Sequence, residues 1–542
     1  MKRIFGHLYY TTLTAFCLLG LTGASATQSD IELKIGIVQR FGDDAKELLQ
    51  LEPTKGDRLR LSFKNSSGEQ NLVTEKPVKL EVVMQRIAKP KVSERVVLGI
   101  FRTFETAEDN ANKWREMGIE VEIAQPDRWQ VWAKRDVYST PLLRRLLLQS
   151  LKAAGKTNPF LDTQIVKQVS IVSSLVDNKR YTLNSLQISS DKNLILVNQG
   201  KKLDAKNIDN EDKKDTINPE KSRLFPGDLR LQPNAYGTYS LVNKVPVETY
   251  LRGVVPYEIG TTAPKAALEA QAIIARTYAL RNVRRFAADN YQLCADTHCQ
   301  VYFGLKGVSP STDKAIAATR GMVLTYKNQL VDALYSASTG GVTASFSDVW
   351  NGDDRPYLRP VVDAASSVWN LSGQKLTDEK NFQAFINQKQ GFNESGWQLF
   401  RWRRESSTED ISKSLQKFLR VKKSPFAKFK ELREMKVVER SPSGRILKLD
   451  IDTEIGSFNL KKDEVRSAFA APISTLFYLE PLSKNGMQLS GYAFVGGGMG
   501  HGVGLSQVGA QNLALLGWSS TSILQFYYPD TQLQALNSKI KQ

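Results

Sequence analysis

The chain of 542 residues is too long for one hydrophobic core and predicts about two to four domains. Lysine and arginine outnumber aspartate and glutamate by 74 to 56, which gives a formal net charge of +18 and favours a polyanionic partner. Nucleic acid is not expected as that partner, because the sequence has neither zinc-finger spacing nor an RNP-like aromatic signature and its basic residues are dispersed.

Residues 1–26 have the pattern of a secretory signal peptide. Lys2 and Arg3 precede an apolar run from about Leu13 to Leu21, and Ala24-Ser25-Ala26 has the form of a cleavage site. The run is too short to span a bilayer, and a retained anchor is the alternative. Removing the two basic residues lowers the net charge from +18 to +16. We therefore expect an exported protein of the periplasm or cell wall, with no transmembrane span in the mature chain.

Residues 27–90 form a predicted strand-rich region. Three segments in it alternate apolar and polar residues, which is the period of a half-buried strand. They are Ile31–Gln39, Arg58–Phe63 and Val78–Met84.

Residues 91–136 have a different pattern. A strand is predicted at Val96–Phe101, a helix from Thr106 through Trp114, and a second strand at Ile119–Ile123, with Gly118 ending the helix. This βαβ outline resembles a SPOR-like repeat, which implies glycan binding. The alternative is a small α/β segment with only a packing role.

Residues 137–222 are predicted to connect this segment to a larger C-terminal domain at 223–536. Within the connection, Gly200–Ser222 is rich in charged and amide side chains and nearly free of apolar ones, which predicts a solvated linker. The larger domain mixes short strands with separate helices, so we predict the α+β class with mainly antiparallel strands. Its predicted later elements are a helix near Asp410–Phe418, strands near Met435–Glu439 and Ile446–Ile451, and a closing helix after Ser519.

Four motifs follow one another in the C-terminal domain. They are Val254-Val255-Pro256-Tyr257-Glu258-Ile259 with Gln271, Arg276, Thr277 and Tyr278 on the next helix; Cys294-Ala295-Asp296-Thr297-His298-Cys299-Gln300; Tyr335-Ser336-Ala337-Ser338-Thr339-Gly340-Gly341; and Gly500-His501-Gly502-Val503-Gly504-Leu505-Ser506-Gln507. In this order and spacing they resemble the SpoIID/LytB family, named for stage II sporulation protein D and an amidase enhancer. The resemblance extends from about Leu224 to about Leu536 and implies a SpoIID-like domain. Catalytic members of the family are lytic transglycosylases of peptidoglycan.

Glu258 is the candidate catalytic residue. Its neighbours Tyr257 and Ile259 can desolvate the carboxyl and raise its pKa, whereas a nearby helix N-terminus would lower it. The resemblance places Glu258 at the family's catalytic glutamate, which protonates the glycosidic oxygen and then helps the muramoyl C6 hydroxyl attack the anomeric carbon. Ordinary glycoside hydrolases use two carboxylates and admit water. The candidates for a second acid are Asp348, Asp353 and Asp354.

Other polar residues of the motifs are candidates for substrate binding. Gln271 shares a helical stripe with Tyr278 and either faces the cleft or satisfies a loop carbonyl. Arg276 could orient a substrate carboxylate or lactyl group through two hydrogen bonds. Because the glycine-rich loop borders the cleft in the family, His501 and Gln507 are candidates for contacting sugar or orienting the acid. The remaining candidates for the same wall are Tyr335, Ser338 and Thr339.

Cys294, His298 and Cys299 form a candidate metal site. Three such ligands within a short segment match the preferences of zinc. A Cys294–Cys299 disulfide is the alternative in an exported protein, and spacing alone favours it slightly. Since this cluster binds zinc in some family members, the resemblance favours a structural zinc, with Asp296, water or His501 as the fourth ligand.

These expectations combine into an exported peptidoglycan lytic transglycosylase with one catalytic glutamate, acting on glycan strands with or without stem peptides and giving 1,6-anhydro-muramoyl ends. The alternative is a noncatalytic wall-binding protein that enhances a partner N-acetylmuramoyl-L-alanine amidase. A serine hydrolase using Ser506 is less expected, because the motif around this serine lacks the final glycine of a nucleophile elbow.

Overall fold

The structure, a computed structural model, describes residues 31–65, 68–201, 216–217, 222–422, 424–484 and 488–541. The predicted signal peptide and most of the predicted linker at 200–222 lie outside the described residues. Several antiparallel sheets and separate helices confirm the predicted α+β class. In the described part of the chain, no helix is long and apolar enough to cross a membrane.

Strands dominate the chain up to residue 246. The elements there are β1 (Glu32–Phe41), β2 (Glu47–Pro53), β3 (Leu59–Asn65), β4 (Gly68–Thr74), β5 (Val78–Phe101), α1 (Phe104–Glu116), β6 (Val121–Ala124), β7 (Trp129–Ala133), α2 (Pro141–Ala153), β8 (Phe160–Val176), β9 (Lys179–Leu183), β10 (Leu186–Ser190), β11 (Leu194–Lys201), β12 (Thr216–Ile217), β13 (Arg223–Pro226), β14 (Asp228–Pro233) and β15 (Tyr239–Pro246).

Helices become more frequent after residue 246. The elements from there to β19 are α3 (Val247–Arg252), α4 (Val255–Glu258), α5 (Lys265–Arg281), β16 (Leu293–Cys294), α6 (Pro310–Ala318), β17 (Met322–Tyr326), β18 (Gln329–Leu330) and β19 (Tyr335–Ser336). The remaining elements are α7 (Phe346–Val349), α8 (Glu379–Asn387), β20 (Arg401–Ser407), α9 (Thr408–Val421), β21 (Leu432–Arg440), β22 (Ile446–Thr453), β23 (Gly456–Lys461), α10 (Asp463–Ser467), β24 (Phe477–Lys484), β25 (Gln488–Gly497), β26 (Leu505–Ser506), α11 (Gln507–Leu515), α12 (Ser520–Tyr527) and β27 (Gln532–Ala535).

One sheet joins the N-terminal strands to the C-terminal domain, with the strand order β16-β1-β15-β14-β10-β3-β4. β1 pairs antiparallel with β15 and parallel with β16. A second sheet also crosses the predicted boundary at residue 223, because β13 pairs with β11. The predicted regions are therefore connected by backbone hydrogen bonds, while the division into domains at 27–90, 91–136, 137–222 and 223–536 stays a prediction.

Residues 91–166 form a βαββαβ unit, which we call the N-terminal module. The end of β5, α1, β6, β7, α2 and the start of β8 follow in sequence, and the strands lie in the order β8-β5-β7-β6. This is the ferredoxin-like arrangement. The outline predicted for 91–136 contains only its first half. Helix α2, which Thr140 caps and Pro141 starts, and strand β8 were not predicted.

Helix α1 shows why this sequence folds locally as predicted. Thr103 accepts a hydrogen bond from the Thr106 N–H as N-cap, and the buried residues recur with helical spacing. Gly118 follows the helix end with a φ of +77°, a left-handed conformation that suits glycine. The buried residues are Phe104, Ala107, Ala111 and Trp114.

Helix α5 is the centre of the C-terminal domain. It is buried on nearly every side, as expected for a helix with apolar residues all round. Helices α3, α6, α11 and α12 all contact it. Its alanines leave room for these close neighbours.

Residues 337–504 form an insert, bracketed by the parallel pair of β19 and β26. The insert contains two hydrophobic clusters of its own. The predicted helix near Asp410–Phe418 is α9, the predicted strands are β21 and β22, and the closing helix is α12. Helix α9 buries one stripe, comprising Ile411, Leu415, Phe418 and Leu419.

Candidate functional site

Glu258 is the last residue of the short helix α4 and lies in a cleft of about 670 Å³. Val255 and Pro256, buried at the start of α4, fix this turn of helix in the core. The long helix α5 begins only at Lys265, so Glu258 is not in its first turn. The helix start expected just after Glu258 therefore lies further along the chain, while the first residue of α11, Gln507, approaches the carboxyl.

The Glu258 carboxylate has few hydrogen-bond donors. The Val301 N–H donates to Oε1 over 2.7 Å, and the Gln507 Nε2 atom lies 3.5 Å from Oε2. Burial raises the pKa of Glu258 above its ordinary value, while hydrogen bonds from Val301, Tyr335 and Gln507 lower it by less. The carboxyl thus keeps its proton to a higher pH than an exposed glutamate, as a general acid requires.

A buried chain of hydrogen bonds fixes Tyr335 beside Glu258. The Tyr250 hydroxyl lies 3.3 Å from Oε1 of Gln300, and Nε2 of Gln300 donates to the Tyr335 hydroxyl over 3.1 Å. Burial raises the pKa of Tyr335 well above its usual value, so its phenol stays protonated. Gln300 and Val301, both of which follow the second cysteine, together set the environment of the catalytic candidate.

Gln271 lies behind Gln507 rather than on the open cleft. It is fully buried, and its Oε1 lies 3.5 Å from Nε2 of Gln507. Among the described residues its own Nε2 has no hydrogen-bond partner. We interpret Gln271 as a support for the amide that approaches Glu258. Tyr278, on the same helix, does line the cleft.

The glycine-rich loop brings His501 to the opposite side of the cleft. Its Nδ1 accepts the Val503 N–H over 3.0 Å, and its ring packs on Trp350 with centroids 5.1 Å apart. Burial, with help from nearby Arg466 and Arg445, lowers the pKa of His501 to about 3. The imidazole is therefore neutral near pH 7, with its proton on Nε2, which donates to the Tyr335 backbone.

Arg276 has a partner other than a substrate carboxylate. It is fully buried, and its Nε and Nη2 each lie 2.7 Å from the Glu248 carboxylate. A further bond of 3.1 Å reaches the Met322 carbonyl. An arginine that orients substrate must reach the cleft, so the structure corrects the predicted role: Arg276 ties α5 to α3 and β17.

Ser338 and Thr339 also differ from the prediction. Both are buried and bond to Glu394, a fully buried carboxylate of the insert. Glu394 accepts further hydrogen bonds from the Ser506 hydroxyl and from backbone N–H groups at 339–341. The two residues therefore hold a buried polar group, the Glu394 cluster, and not the cleft wall.

Asp363 completes the Glu394 cluster. It accepts hydrogen bonds from Asn393 and Tyr527 at 2.8–2.9 Å, and its Oδ2 lies 3.0 Å from Oγ1 of Thr339. Burial and the nearby Glu394 raise the pKa of Asp363 to about 8. Since Ser506 is the N-cap of α11, whose first residue is Gln507, this cluster supports the helix end that approaches the catalytic candidate.

The sulfur atoms of Cys294 and Cys299 are joined in a disulfide, the alternative that spacing slightly favours. His298 is exposed. Zinc needs cysteine thiolates, so these residues do not fit a zinc ion while the disulfide is intact. Within the described ranges, no three His, Cys, Asp or Glu side chains are grouped to hold a metal. Zinc binding by the reduced chain stays a prediction.

The predicted second acids lie elsewhere. Asp348 is buried in the capping box of α7 and bonds to Ser443. Asp353 and Asp354 line a separate cavity of about 850 Å³, whose lining does not include Glu258.

Three other carboxylates line the cleft of Glu258. Glu105 and Asp463 pair with arginines, whereas Asp127 is exposed in the turn between β6 and β7. Asp127 was not a sequence candidate, because no motif connects the N-terminal module to the cleft.

Two family models match separate parts of the chain. One, described as Stage II sporulation protein (SpoIID), matches residues 235–326, and one described as Domain of unknown function (DUF8618) matches residues 344–504. The first covers α4, α5 and the disulfide loop. The second lies within the insert.

Curated relatives resemble slightly more than half of the chain. The "Amidase enhancer" of Bacillus subtilis (strain 168) is 30% identical over 305 residues, which are 52% of this chain and 40% of that protein. The "Stage II sporulation protein D" of the same organism is 27% identical over 326 residues, 56% of this chain and 80% of that protein. An uncharacterised protein of Brachyspira hyodysenteriae (strain ATCC 49526 / WA1) is 26% identical over 299 residues, 54% of this chain and 67% of that protein. The chain thus spans less than half the length of the amidase enhancer.

Proposed function

The chain belongs to the SpoIID family, and we propose that it is a peptidoglycan lytic transglycosylase with Glu258 as its single acid and base. The observation that carries the proposal is a half-buried carboxyl in a cleft, with a raised pKa and one short backbone hydrogen bond. This is the state in which a carboxyl can give up a proton and recover it within one reaction.

The reaction has two proton transfers. Protonated Glu258 gives its proton to the glycosidic oxygen as the bond from that oxygen to the muramoyl anomeric carbon breaks. The resulting carboxylate then takes the proton of the C6 hydroxyl as the C6 oxygen bonds to the anomeric carbon. The products are a new sugar hydroxyl and a 1,6-anhydro-muramoyl end, and the enzyme returns to its starting protonation.

The neighbours of Glu258 fit both protonation states. The Val301 N–H donates to Oε1 and stabilises the carboxylate between the two transfers. The amide of Gln507 and the phenol of Tyr335 approach the same carboxyl. His501, neutral and set against Trp350, is suited to contacting sugar hydroxyls but not to giving a proton to the leaving oxygen.

Asp127 allows an alternative mechanism, a hydrolase that uses two carboxylates. It is exposed in the same cleft and could serve as the base of a hydrolase that activates water. Under our proposal, Asp127→Asn leaves the cleavage products unchanged and the rate within about threefold, because one carboxyl carries both proton transfers. Loss of activity comparable to that of a Glu258 variant would favour the two-carboxylate mechanism.

Mass spectrometry of isolated glycan strands incubated with the purified protein tests the proposal directly. Strands with and without stem peptides form the two substrate arms. Anhydro ends that accumulate with time support the transglycosylase, reducing ends would replace it with a hydrolase, and intact strands would refute an enzymatic role on this substrate. Because the acid must be protonated, we expect the rate to fall as pH rises through the raised pKa of Glu258.

A second candidate function follows from the relative named "Amidase enhancer". In this alternative the chain binds wall glycan without cleaving it and increases the activity of an N-acetylmuramoyl-L-alanine amidase. Its test is amidase turnover on sacculi with and without the full chain, using both the wild type and Glu258→Gln. Enhancement that persists in the variant, together with uncleaved glycan, would favour this role over the enzyme.

We also propose an exported location at the cell wall. The predicted signal sequence at 1–26 and the net charge of the chain support it, since peptidoglycan and associated wall polymers carry negative charge. Fractionation of cells that produce the full chain, followed by sequencing of the mature N-terminus, measures both the location and the cleavage after Ala26.

A further inference from the structure

The cleft of Glu258 continues into a second groove. This groove, of about 620 Å³, lies between the N-terminal module and the insert. The two spaces share lining residues, which are Arg102, Thr103, Arg128, Trp350 and Asp463. Each volume is in the range of about 300–1,000 Å³ typical of a small-molecule site, so the pair is suited to an extended ligand.

Aromatic packing fixes the module against the C-terminal domain. The ring of Trp129, on β7, lies 5.1 Å from Phe104 of α1 and 5.1 Å from Phe286, which follows α5. Phe286 in turn stacks on Tyr291 at 4.8 Å. These rings belong to the hydrophobic core, so the module is a packed wall of the cleft and not a separately tethered unit.

Ion pairs hold the same interface. Glu108 of α1 bonds to Nη2 of Arg284 over 2.7 Å, and Glu105 pairs with Arg285. Arg285 also donates to the His298 carbonyl over 2.9 Å. A continuous set of contacts therefore leads from the module to the disulfide loop that precedes Val301.

The second groove carries an excess of positive charge. Its lining includes two carboxylates, Asp463 and Glu464, of which the first pairs with Arg102 and the second with Lys422. The guanidinium carbon of Arg128 lies 5.6 Å from the centre of the Phe418 ring. The cations of the lining are Arg102, Arg128, Lys422, Lys461 and Lys462.

We propose that this second groove binds the continuation of the glycan strand whose glycosidic bond lies at Glu258. The inference rests on the proposed function and adds a binding site to it, built from Arg128 of the module and from Lys461 and Lys462 of the insert. Carboxylates recur along a peptidoglycan strand, on the lactyl group or on the stem peptide, and match these cations. Continuity with the cleft favours the same strand over a separate ligand.

The site makes binding depend on strand length. A short oligosaccharide fills the cleft as far as Arg128, which lines both spaces, whereas only a long strand reaches Lys461 and Lys462. Each exposed ion pair contributes modestly, so charge reversal at Lys461 weakens long-strand binding by about threefold to tenfold. The ratio of long-strand to short-strand affinity therefore falls.

The test measures binding of length-fractionated glycan strands to the full chain carrying Glu258→Gln, which prevents turnover. Glu258→Gln/Lys461→Glu is compared with Glu258→Gln/Arg86→Glu. Lys461 lines the second groove but not the cleft, while Arg86 is exposed on β5 and lines neither cavity. Salt stays near physiological, where the Debye length is about 8 Å. Thermal unfolding of each variant confirms that Lys461→Glu leaves the fold intact.

A lower length ratio in the Lys461 variant alone supports the groove. An unchanged ratio, or an equal loss in the Arg86 control, overturns it as nonspecific attraction. A larger effect on strands with stem peptides assigns the recognised carboxylates to the peptide, and a larger effect on stripped strands assigns them to the lactyl groups. If wild-type protein cleaves no strand but the ratio still falls, the groove stands and the proposed activity fails. If wild-type protein cleaves strands but the ratio is unchanged, the proposed activity stands and the groove fails.

Discussion

Two carboxylates of the C-terminal domain differ in the number of hydrogen bonds that they accept. Glu258 lies at the cleft with one short hydrogen bond, from Val301, and more distant approaches from Gln507 and Tyr335. Glu394 is fully buried and accepts hydrogen bonds from three hydroxyls and from the backbone at 339–341.

The comparison separates a carboxyl that can exchange a proton from one that holds a structure. Sparse donors and burial raise the pKa of Glu258 above that of an exposed glutamate, which suits an acid that must also act as a base. Many donors hold the Glu394 carboxyl in one position, so removing their acceptor is costly. The following variants test that division, beginning with the largest expected effect.

Glu258→Gln removes the acid while keeping the shape of the side chain. We expect the cleavage rate to fall by about 10²–10⁴-fold, the usual contribution of general acid catalysis, with strand binding and the unfolding free energy nearly unchanged. Time courses of anhydro-end formation measure the first, and urea unfolding the second. Glu69→Gln, an exposed glutamate on β4, is the control. Undiminished turnover would reject Glu258 as the acid.

Glu394→Gln places an amide among donors that require an acceptor. Its NH₂ group meets N–H groups at 340 and 341, so we expect a loss of about 2–3 kcal/mol in unfolding free energy, the cost of unmaking charged, buried hydrogen bonds. Urea unfolding measures the loss, again against Glu69→Gln. Any fall in activity should follow the fraction unfolded. A stable protein with an intrinsic rate as low as that of Glu258→Gln would move Glu394 into the catalytic group.

The sequence predicted the local elements better than their connections. Helical spacing in α9 and alternation in β21 and β22 are short-range patterns that survive in the fold. The pairing of β1 with both β15 and β16 joins residues far apart in the chain. No local pattern specifies such pairs, and for the same reason the position of the N-terminal module beside the cleft was not predicted.

The motifs predicted which residues meet but not what each one contacts. The structure brings five of the predicted catalytic and substrate-binding residues to one cleft, where their roles stay predictions: Glu258, Tyr278, Tyr335, His501 and Gln507. Arg276 could not be distinguished from a substrate ligand, because its partner Glu248 lies on another helix. Asp363 and Glu394 stand in no motif, so the buried cluster had no sequence signal.

Removal of the disulfide tests whether the loop that precedes Val301 keeps this hydrogen-bond donor in place at Glu258. In Cys294→Ser/Cys299→Ser, a chain-entropy treatment of so short a loop gives a loss of about 2 kcal/mol in unfolding free energy. Because Gln300 and Val301 follow this loop, we expect kcat to fall more than KM rises. Differential scanning calorimetry and steady-state kinetics measure the two effects, with reduced wild type as the matched control.

The zinc prediction is tested on the wild-type protein, which keeps both cysteines. Metal analysis and thiol titration are made before and after reduction, without chelator. About one zinc per reduced chain, with stability lost on chelation, would support the metal, whereas blocked thiols and no zinc in untreated protein support the disulfide. Unchanged stability and kinetics in the double serine variant would show that the loop does not hold Val301 in place.

The smallest expected effect concerns Asp363, which shares a hydroxyl with Glu394. Thr339 Oγ1 lies 3.0 Å from Oδ2 of Asp363 and 3.0 Å from Oε1 of Glu394, but its single hydrogen can serve only one of them. A protonated Asp363 can donate to Thr339, which then donates to Glu394. This proton-linked chain agrees with the pKa of Asp363, which burial and Glu394 raise to about 8.

The sign of the pH dependence follows from that raised pKa. The folded state keeps a proton that the unfolded carboxyl has already lost above about pH 5, so the unfolding free energy falls as pH rises towards 8. Between pH 7 and pH 8 the expected fall is about 1 kcal/mol.

Asp363→Asn keeps a donor for Thr339 without a titrating group and should remove this fall, while Asp43→Asn, at an exposed site, should retain it. Urea unfolding at the two pH values measures the difference. An equal fall in all three proteins would mean that Asp363 is already ionised in the fold, and that the buried cluster holds two charges where we infer one.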